Sequence, residues 1–96
     1  MKNGLIIDAN GSKNWYVNDK RHRTDGPAVE LPSGSKFWFI DGKHHRTDGP
    51  AIVYADGTKC WYVDSKRHRT NKSFQQAAKL TDAEMAALVL KYGDIR

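Results

Sequence analysis

The sequence predicts a mainly β domain, a meandering antiparallel sheet of 23-residue units closed by one or two C-terminal helices. Three observations lead there. Gly11–Thr24, Gly34–Thr47 and Gly57–Thr70 are near copies at a constant spacing of 23 residues, with Trp15, Trp38 and Trp61 in phase and His22, His45 and His68 in phase. Such a period marks stacked supersecondary units, each too small to bury a core alone. Turn-forming pairs recur every few residues between short aromatic and β-branched runs, which favours hairpins over helices. After the third copy the composition switches to helix formers.

The chain reads as one domain, residues 1–96, in five parts. Residues 1–10 hold Leu5–Ile7, in phase with Ala28–Glu30 and Ala51–Val53, so they supply the closing strand of a partial unit and the first edge of the sheet. Residues 11–33 and 34–56 are full units, and 57–72 form a truncated third. In the second unit, Lys36–Ile40 has strand composition. Alternation puts Trp38 and Ile40 on one face and Phe37, Phe39 and Asp41 on the other. Asp41-Gly42 supplies a tight hairpin turn, answered by Asn18-Asp19 in the first unit. Lys43–Arg46 returns, Asp48-Gly49-Pro50 turns again, Ala51–Tyr54 forms a third short strand, and Ala55–Thr58 leads into the next unit. The expectation is seven to nine short strands, with the tryptophan and β-branched stripes as the main buried row.

The third unit lacks the second turn, carrying Asn71-Lys72-Ser73-Phe74 where Asp-Gly-Pro-Ala stood before. Residues 73–96 read as a helical cap. Ser73 is the expected N-cap of a first helix, Thr81 with Glu84 spells a capping box for a second, and Gly93 marks a stop. Met85, Leu88, Val89 and Tyr92 make one apolar stripe that would cover the open end of the array.

A net charge of +5 permits nucleic acid, anionic lipid or an acidic protein as partner without choosing among them. The single cysteine, Cys60, excludes an internal disulfide and fits a reducing cytosol. No signal-peptide core and no run near the ~20 apolar residues of a membrane span is present, so a cytoplasmic protein is expected.

Residues that recur in every unit serve the unit's own folding. The histidines fit this better than a metal centre. His44 and His45 are adjacent on a strand and point to opposite faces, and His22, His45 and His68 are a whole unit apart, roughly 10 Å or more, whereas zinc holds nitrogen at about 2.0–2.1 Å. Each His is expected to pack beside its Trp and bond a turn carbonyl. Arg23, Arg46 and Arg69 are expected to tie down the Asp-Gly-Pro turns through Asp25 or Asp48, or to stack on an aromatic ring. A second reading makes a basic ladder of Lys13, Lys36 and Lys59 with Lys20, Lys43 and Lys66, interleaved with Tyr16, Phe39 and Tyr62, which would suit single-stranded nucleic acid. Cys60 has no partner at motif spacing, although a pairing with His68 is conceivable. Phosphate loops, nucleophile elbows and paired carboxylates are missing. No enzyme activity, cofactor or metal is expected.

The run Trp38-Phe-Ile-Asp-Gly42-Lys43-His44-His45-Arg46-Thr-Asp48-Gly49-Pro50-Ala51, followed by Asp56-Gly57-Thr58-Lys59-Cys-Trp61-Tyr62, resembles the Trp-Tyr-x-x-Gly-Lys-x-His-Arg-x-Asp-Gly-Pro-Ala repeats of small phage and bacterial proteins. Over residues 4–70 the chain is also similar to MORN repeats, differing by a longer turn after Trp, by Arg46 where MORN has Gly, and by the added Asp-Gly-Pro-Ala. The resemblance implies an elongated antiparallel sheet used as a binding platform, and a phage accessory protein that acts on a host enzyme or defence component. The expected partner is therefore a host protein, with nucleic acid the alternative, and with a homodimer through the Leu5–Ile7 edge or the Met85–Tyr92 stripe compatible with either. The expected contact residues are the unit-specific ones, Phe37, His44, Tyr54 and Cys60, all taken to be exposed, with Lys36, Lys43, Lys59 and Arg46 for the basic alternative.

Overall fold

The computed structural model describes all residues, Met1–Arg96. Ten strands run β1 Gly4–Ile7, β2 Lys13–Val17, β3 Lys20–Arg21, β4 Val29–Glu30, β5 Lys36–Phe37, β6 Phe39–Ile40, β7 Lys43–His44, β8 Ile52–Val53, β9 Lys59–Val63 and β10 Lys66–His68; helices α1 Asn71–Ala78 and α2 Asp82–Tyr92 follow. The tenth strand, beyond the nine allowed by the sequence, arises because the middle strand divides at Trp38. Its backbone bonds nonetheless match those of Trp15: each Trp N–H donates to the carbonyl of the turn alanine, Ala28 or Ala51, and each Trp carbonyl accepts from the following His.

Local chemistry dictates the two sharp turns of every unit. The hairpin residues Asn18 and Asp19, Asp41 and Gly42, and Asp64 and Ser65 all have positive φ, between 50° and 77°. That is the mirror-image turn whose twist matches paired strands, and Asn, Asp and Gly are the residues that reach it most cheaply. Between units, the carbonyls of Asp8, Leu31 and Tyr54 accept the N–H of Gly11, Gly34 and Gly57 at 2.9–3.0 Å. Those glycines sit at φ 89°, 100° and 91°, as a three-residue loop closed by a glycine bulge requires.

One antiparallel sheet carries the order β1-β2-β4-β5-β8-β9-β10, with β3 on β2, and β6-β7 forms a separate ribbon. β1 pairs only with β2, Leu5 opposite Trp15, so it is the expected edge. Successive units are also joined hairpin to return strand. Arg23 N–H donates to Phe39 O at 3.2 Å and Gly42 N–H to Arg21 O at 2.8 Å, and the same pair recurs as Arg46 to Tyr62 and Ser65 to His44.

The recurring Trp, Arg, Asp, Gly and Pro are parts of one device. The Arg46 guanidinium lies 4.0 Å over the Trp38 ring, its Nε donates to Asp48 Oδ1 at 2.8 Å and its Nη1 donates to Pro50 O at 3.1 Å. Arg23 repeats this on Trp15, Asp25 and Pro27 at 3.9, 2.9 and 3.1 Å. Gly49 leaves room for the clamp, since a Cβ there would stand 2.7 Å from Arg46 Cζ and the guanidinium would have to move. Asp48 is largely exposed, and such a surface pair is worth about 0–1 kcal/mol. The half-buried stack and the bond to the Pro carbonyl, at about 0.5–2 and 1.5–3 kcal/mol, carry more of the turn.

In the third unit Lys72 occupies the phase of Gly49, so this clamp has no room to close. The Arg69 side chain makes no such contacts, and Phe74, in the phase of Ala51, covers Trp61 instead at 4.8 Å, edge to face. The fully buried cluster of the molecule is therefore at this end: Trp61, Val63, Phe74, Met85 and Ile95, with Leu88, Val89 and Tyr92 packed against it. The expected tryptophan row is corrected accordingly. Trp15 and Trp38 are half-buried under their arginines and Trp61 alone is buried. The N-cap of α1 is also corrected, from Ser73 to Thr70, whose hydroxyl accepts the Ser73 N–H at 3.2 Å. The Thr81–Glu84 capping box and the stop at Gly93 are as expected.

Replacing Gly by Ala in an unstrained loop ordinarily stabilises by about 0.4–1 kcal/mol. Gly49→Ala should instead destabilise by about 1–3 kcal/mol, because the added methyl displaces the guanidinium. Gly26→Ala, where the approach is 3.0 Å, should cost less, and Asp48→Asn under about 1 kcal/mol. Urea denaturation of the three variants tests the order; a neutral or stabilising Gly49→Ala would refute the clamp.

Candidate binding surface

The histidines serve the array, although not as expected. His22 Nδ1 accepts the backbone N–H of Asp41 at 3.1 Å and His45 Nδ1 accepts that of Asp64 at 3.2 Å. The expected bond to a turn carbonyl is thus replaced by a bond to a turn N–H of the following unit, because the positive-φ hairpin residue directs its N–H out of the strand ladder. Acceptance at Nδ1 leaves the ring proton on Nε2. His68, with no fourth unit to meet, bonds Ser73 Oγ at 3.1 Å. No group of three or more His, Cys, Asp and Glu side chains is placed to hold an ion.

Three of the four unit-specific residues come together. On β2 and β9, Tyr16 and Tyr62 alternate with the tryptophans and so face the opposite side of the sheet. The middle unit places Phe39 in that row, opposite His44. The His44 ring lies 4.2 Å from Phe39, 5.3 Å from Tyr62 and 6.3 Å from Phe37, and Tyr54 meets Phe37 edge to face at 6.1 Å. Arg21 reaches the same patch, 5.8 Å over Phe39. Phe37, Phe39, His44 and Tyr62 are partly exposed and Tyr54 is 42% exposed. The patch is particular to the middle unit: Asn14 and Cys60 stand in phase with Phe37, Arg21 and Arg67 in phase with His44, and Leu31 in phase with Tyr54. The convergence of Phe39 and Tyr62 with the unit-specific residues was not foreseen, and the parity of the strand was the signal for it.

The other expected contact residues separate. Cys60 is buried, 7% exposed, paired with Ile52 in the inner row, which corrects its expected exposure. Arg46 is engaged in the Trp38 clamp and also donates to Tyr92 Oη at 3.3 Å. Lys36, Lys43 and Lys59 are exposed. The register runs Lys13–Glu30–Lys36–Val53–Lys59 across the sheet, so an acidic side chain stands between two of the three lysines. Lys13 and Tyr16, like Lys59 and Tyr62, are three residues apart on one strand and face opposite sides. Lys13, Lys36 and Lys59 therefore face away from the aromatic row, whereas Lys20 and Arg21 share a groove with Tyr16 and Phe39. The stripe of α2 is taken up inside the molecule; of the two expected self-association faces, only the β1 edge leaves Leu5 and Ile7 exposed, at 47% and 59%.

No helix is long and apolar enough to cross a membrane. Comparison with family models, with curated proteins and with solved structures finds no match to this chain.

Burial first, and then the Arg21 charge, hold His44 below the usual histidine range. Its Nδ1 is buried without a hydrogen-bond partner. A neutral ring costs nothing extra at pH above the unfolded value of about 6.5. As the pH falls below it the unfolded chain takes the proton first, and stability is lost down through the lower folded value. Thermal melting should therefore show the wild type losing more between pH 7.5 and 5 than His44→Phe, which retains an aromatic ring and cannot titrate. Parallel losses in the two proteins would remove His44 as the cause.

Proposed function

We propose that the protein is a non-enzymatic binding module that docks one macromolecular partner, a host protein, through the patch of Phe37, Phe39, His44, Tyr54 and Tyr62. The observation that carries this reading is the convergence: residues that break the repeat, scattered over 18 positions from Phe37 to Tyr54, meet at one partly exposed aromatic surface. Clustered aromatics rimmed by arginine are what the energetic centre of a protein interface needs, since large rigid rings bury area at low entropic cost and guanidinium supplies directed bonds. Arg21, lying over the Phe39 ring, favours an acidic partner surface. In the phage setting that the repeat resemblance suggests, such a module blocks or redirects a host component. A nucleic-acid role has weaker support, because Lys13, Lys36 and Lys59 face away from the aromatic row and Glu30 interrupts that basic row.

The repeat supplies its own control substitutions. Phe37→Asn, His44→Arg and Tyr54→Leu place in the middle unit the residues that the first unit carries in phase, so each suits the local backbone. The triple variant should keep the wild-type circular dichroism and melt as a folded protein, yet lose stoichiometric capture of a protein from bacterial lysate. Undiminished capture by the folded variant would eliminate the patch. Recovery of nucleic acid alone, abolished by nuclease and weakening log-linearly with salt, would favour the basic alternative.

A further inference from the structure

The interface between α2 and the last unit has an open counterpart one unit back. Tyr92 enters between Arg46 and Trp61: its hydroxyl accepts from Arg46 Nη2 at 3.3 Å, and its ring meets the Trp61 ring edge to face at 5.6 Å and 84°. Stepping back by the 23-residue period, the same two walls are Arg23 and Trp38. They line a groove of about 590 Å³, together with Thr24, Asp25, His45 and Arg46, a size within the ~300–1,000 Å³ of small-molecule sites. Arg23 uses Nε and Nη1 within its own clamp. Its Nη2, the counterpart of the nitrogen that holds Tyr92, makes no hydrogen bond in the molecule.

We propose that this groove binds a tyrosine side chain presented by a partner protein. The chain's own Tyr92 shows the pose one unit along, and Arg46 belongs to both, holding Tyr92 and lining the groove. A phenol suits it better than a phosphate, because Asp25 and Asp48 stand beside the two guanidinium groups and would repel a dianion. Trp38 differs from Trp61 in carrying Arg46 over its face rather than Phe74 beside it, so an entering ring meets a second cation, which an aromatic quadrupole attracts. The site lies on the tryptophan side of the sheet and is independent of the aromatic patch.

Titration of ¹⁵N-labelled protein with N-acetyl-L-tyrosinamide, followed by NMR, tests this directly. The indole N–H of Trp38 and the Nε–H of Arg23 should shift, with Trp15 and Trp61 unmoved. N-acetyl-L-phenylalaninamide, which lacks the hydroxyl for Arg23 Nη2, should bind roughly threefold or more weakly, and phenyl phosphate should bind no more tightly than the tyrosine analogue. Thr24→Trp, at an exposed position on the groove wall, should fill the groove and abolish the shifts with the melting temperature retained. No response to the tyrosine analogue, equal affinity for the phenylalanine analogue, shifts shared by all three tryptophans, or shifts that persist in a folded Thr24→Trp would each overturn the proposal. Tighter binding of phenyl phosphate would reassign the groove to an anion.

Discussion

Each full unit is held shut by one guanidinium. A single-layer sheet of short strands has no second layer to cover its tryptophans, and only 15 of 96 residues are buried. In the first two units the buried apolar side chains are small or β-branched, Ala28, Val29, Ala51 and Ile52, and the tryptophans stay half-buried. The arginine substitutes for a packing layer: its flat face covers the indole while its edge binds the turn that brings the chain back. Lysine could supply charge here but neither the plane nor the fork. The requirement propagates into the sequence. Trp must be there to be covered, Gly because a methyl would stand in the guanidinium's place, and Pro because its carbonyl is presented at a fixed φ.

The same reasoning explains how the array ends. Each hairpin residue Asn18, Asp41 and Asp64 carries an N–H outside the ladder, and in the later two units the histidine of the preceding unit accepts it. In the first unit Asn3 Oδ1 accepts the Asn18 N–H at 2.9 Å while Lys2 O accepts that of Asp19. Lys2 and Asn3 thus take the part that the return strand of the preceding unit plays for Asp41 and Asp64. At the other end the loss of glycine at Lys72 opens the clamp, Phe74 covers the exposed indole, and the chain has already begun α1 at Thr70. The helical cap begins where the Asp-Gly-Pro-Ala turn that the guanidinium binds is replaced by Asn71-Lys72-Ser73-Phe74.

Periodicity and turn chemistry made most of the fold legible. The Asp41-Gly42 and Asp48-Gly49-Pro50 turns, the β1 edge, the Thr81 capping box and the stripe of α2 were all written in residue types that act locally. The direction of the histidine bond was not legible, because it depends on which backbone group the neighbouring unit leaves free. Neither was the burial of Cys60, which follows from its pairing with Ile52 rather than from its own strand. The separation of lysines from aromatics was latent in strand parity: Lys13 and Tyr16 are an odd number of residues apart, so a pleated strand sends them to opposite faces. The aromatic patch needed two units brought side by side, since Tyr62 and His44 belong to different repeats.

Where a repeat protein departs from its own pattern, the departure either repairs an end or does something the pattern cannot. Phe74 and Asn3 are repairs. His44 is not. It stands in an internal unit, at a position where Arg21 and Arg67 occupy the flanking copies, and it carries a buried nitrogen with no partner. An unpaired buried polar atom costs about 1–3 kcal/mol, and arginine at this position, with its head at the surface, avoids that cost in both neighbouring units. The three aromatic rings around His44 gain by packing on it, but a phenylalanine would pack as well without the orphaned nitrogen. His68 Nε2 is likewise buried without a partner, so what sets His44 apart is its place among Phe37, Phe39 and Tyr62. The neutral imidazole is the group that places a hydrogen-bonding edge within an aromatic surface, and that combination distinguishes the middle unit from its two copies.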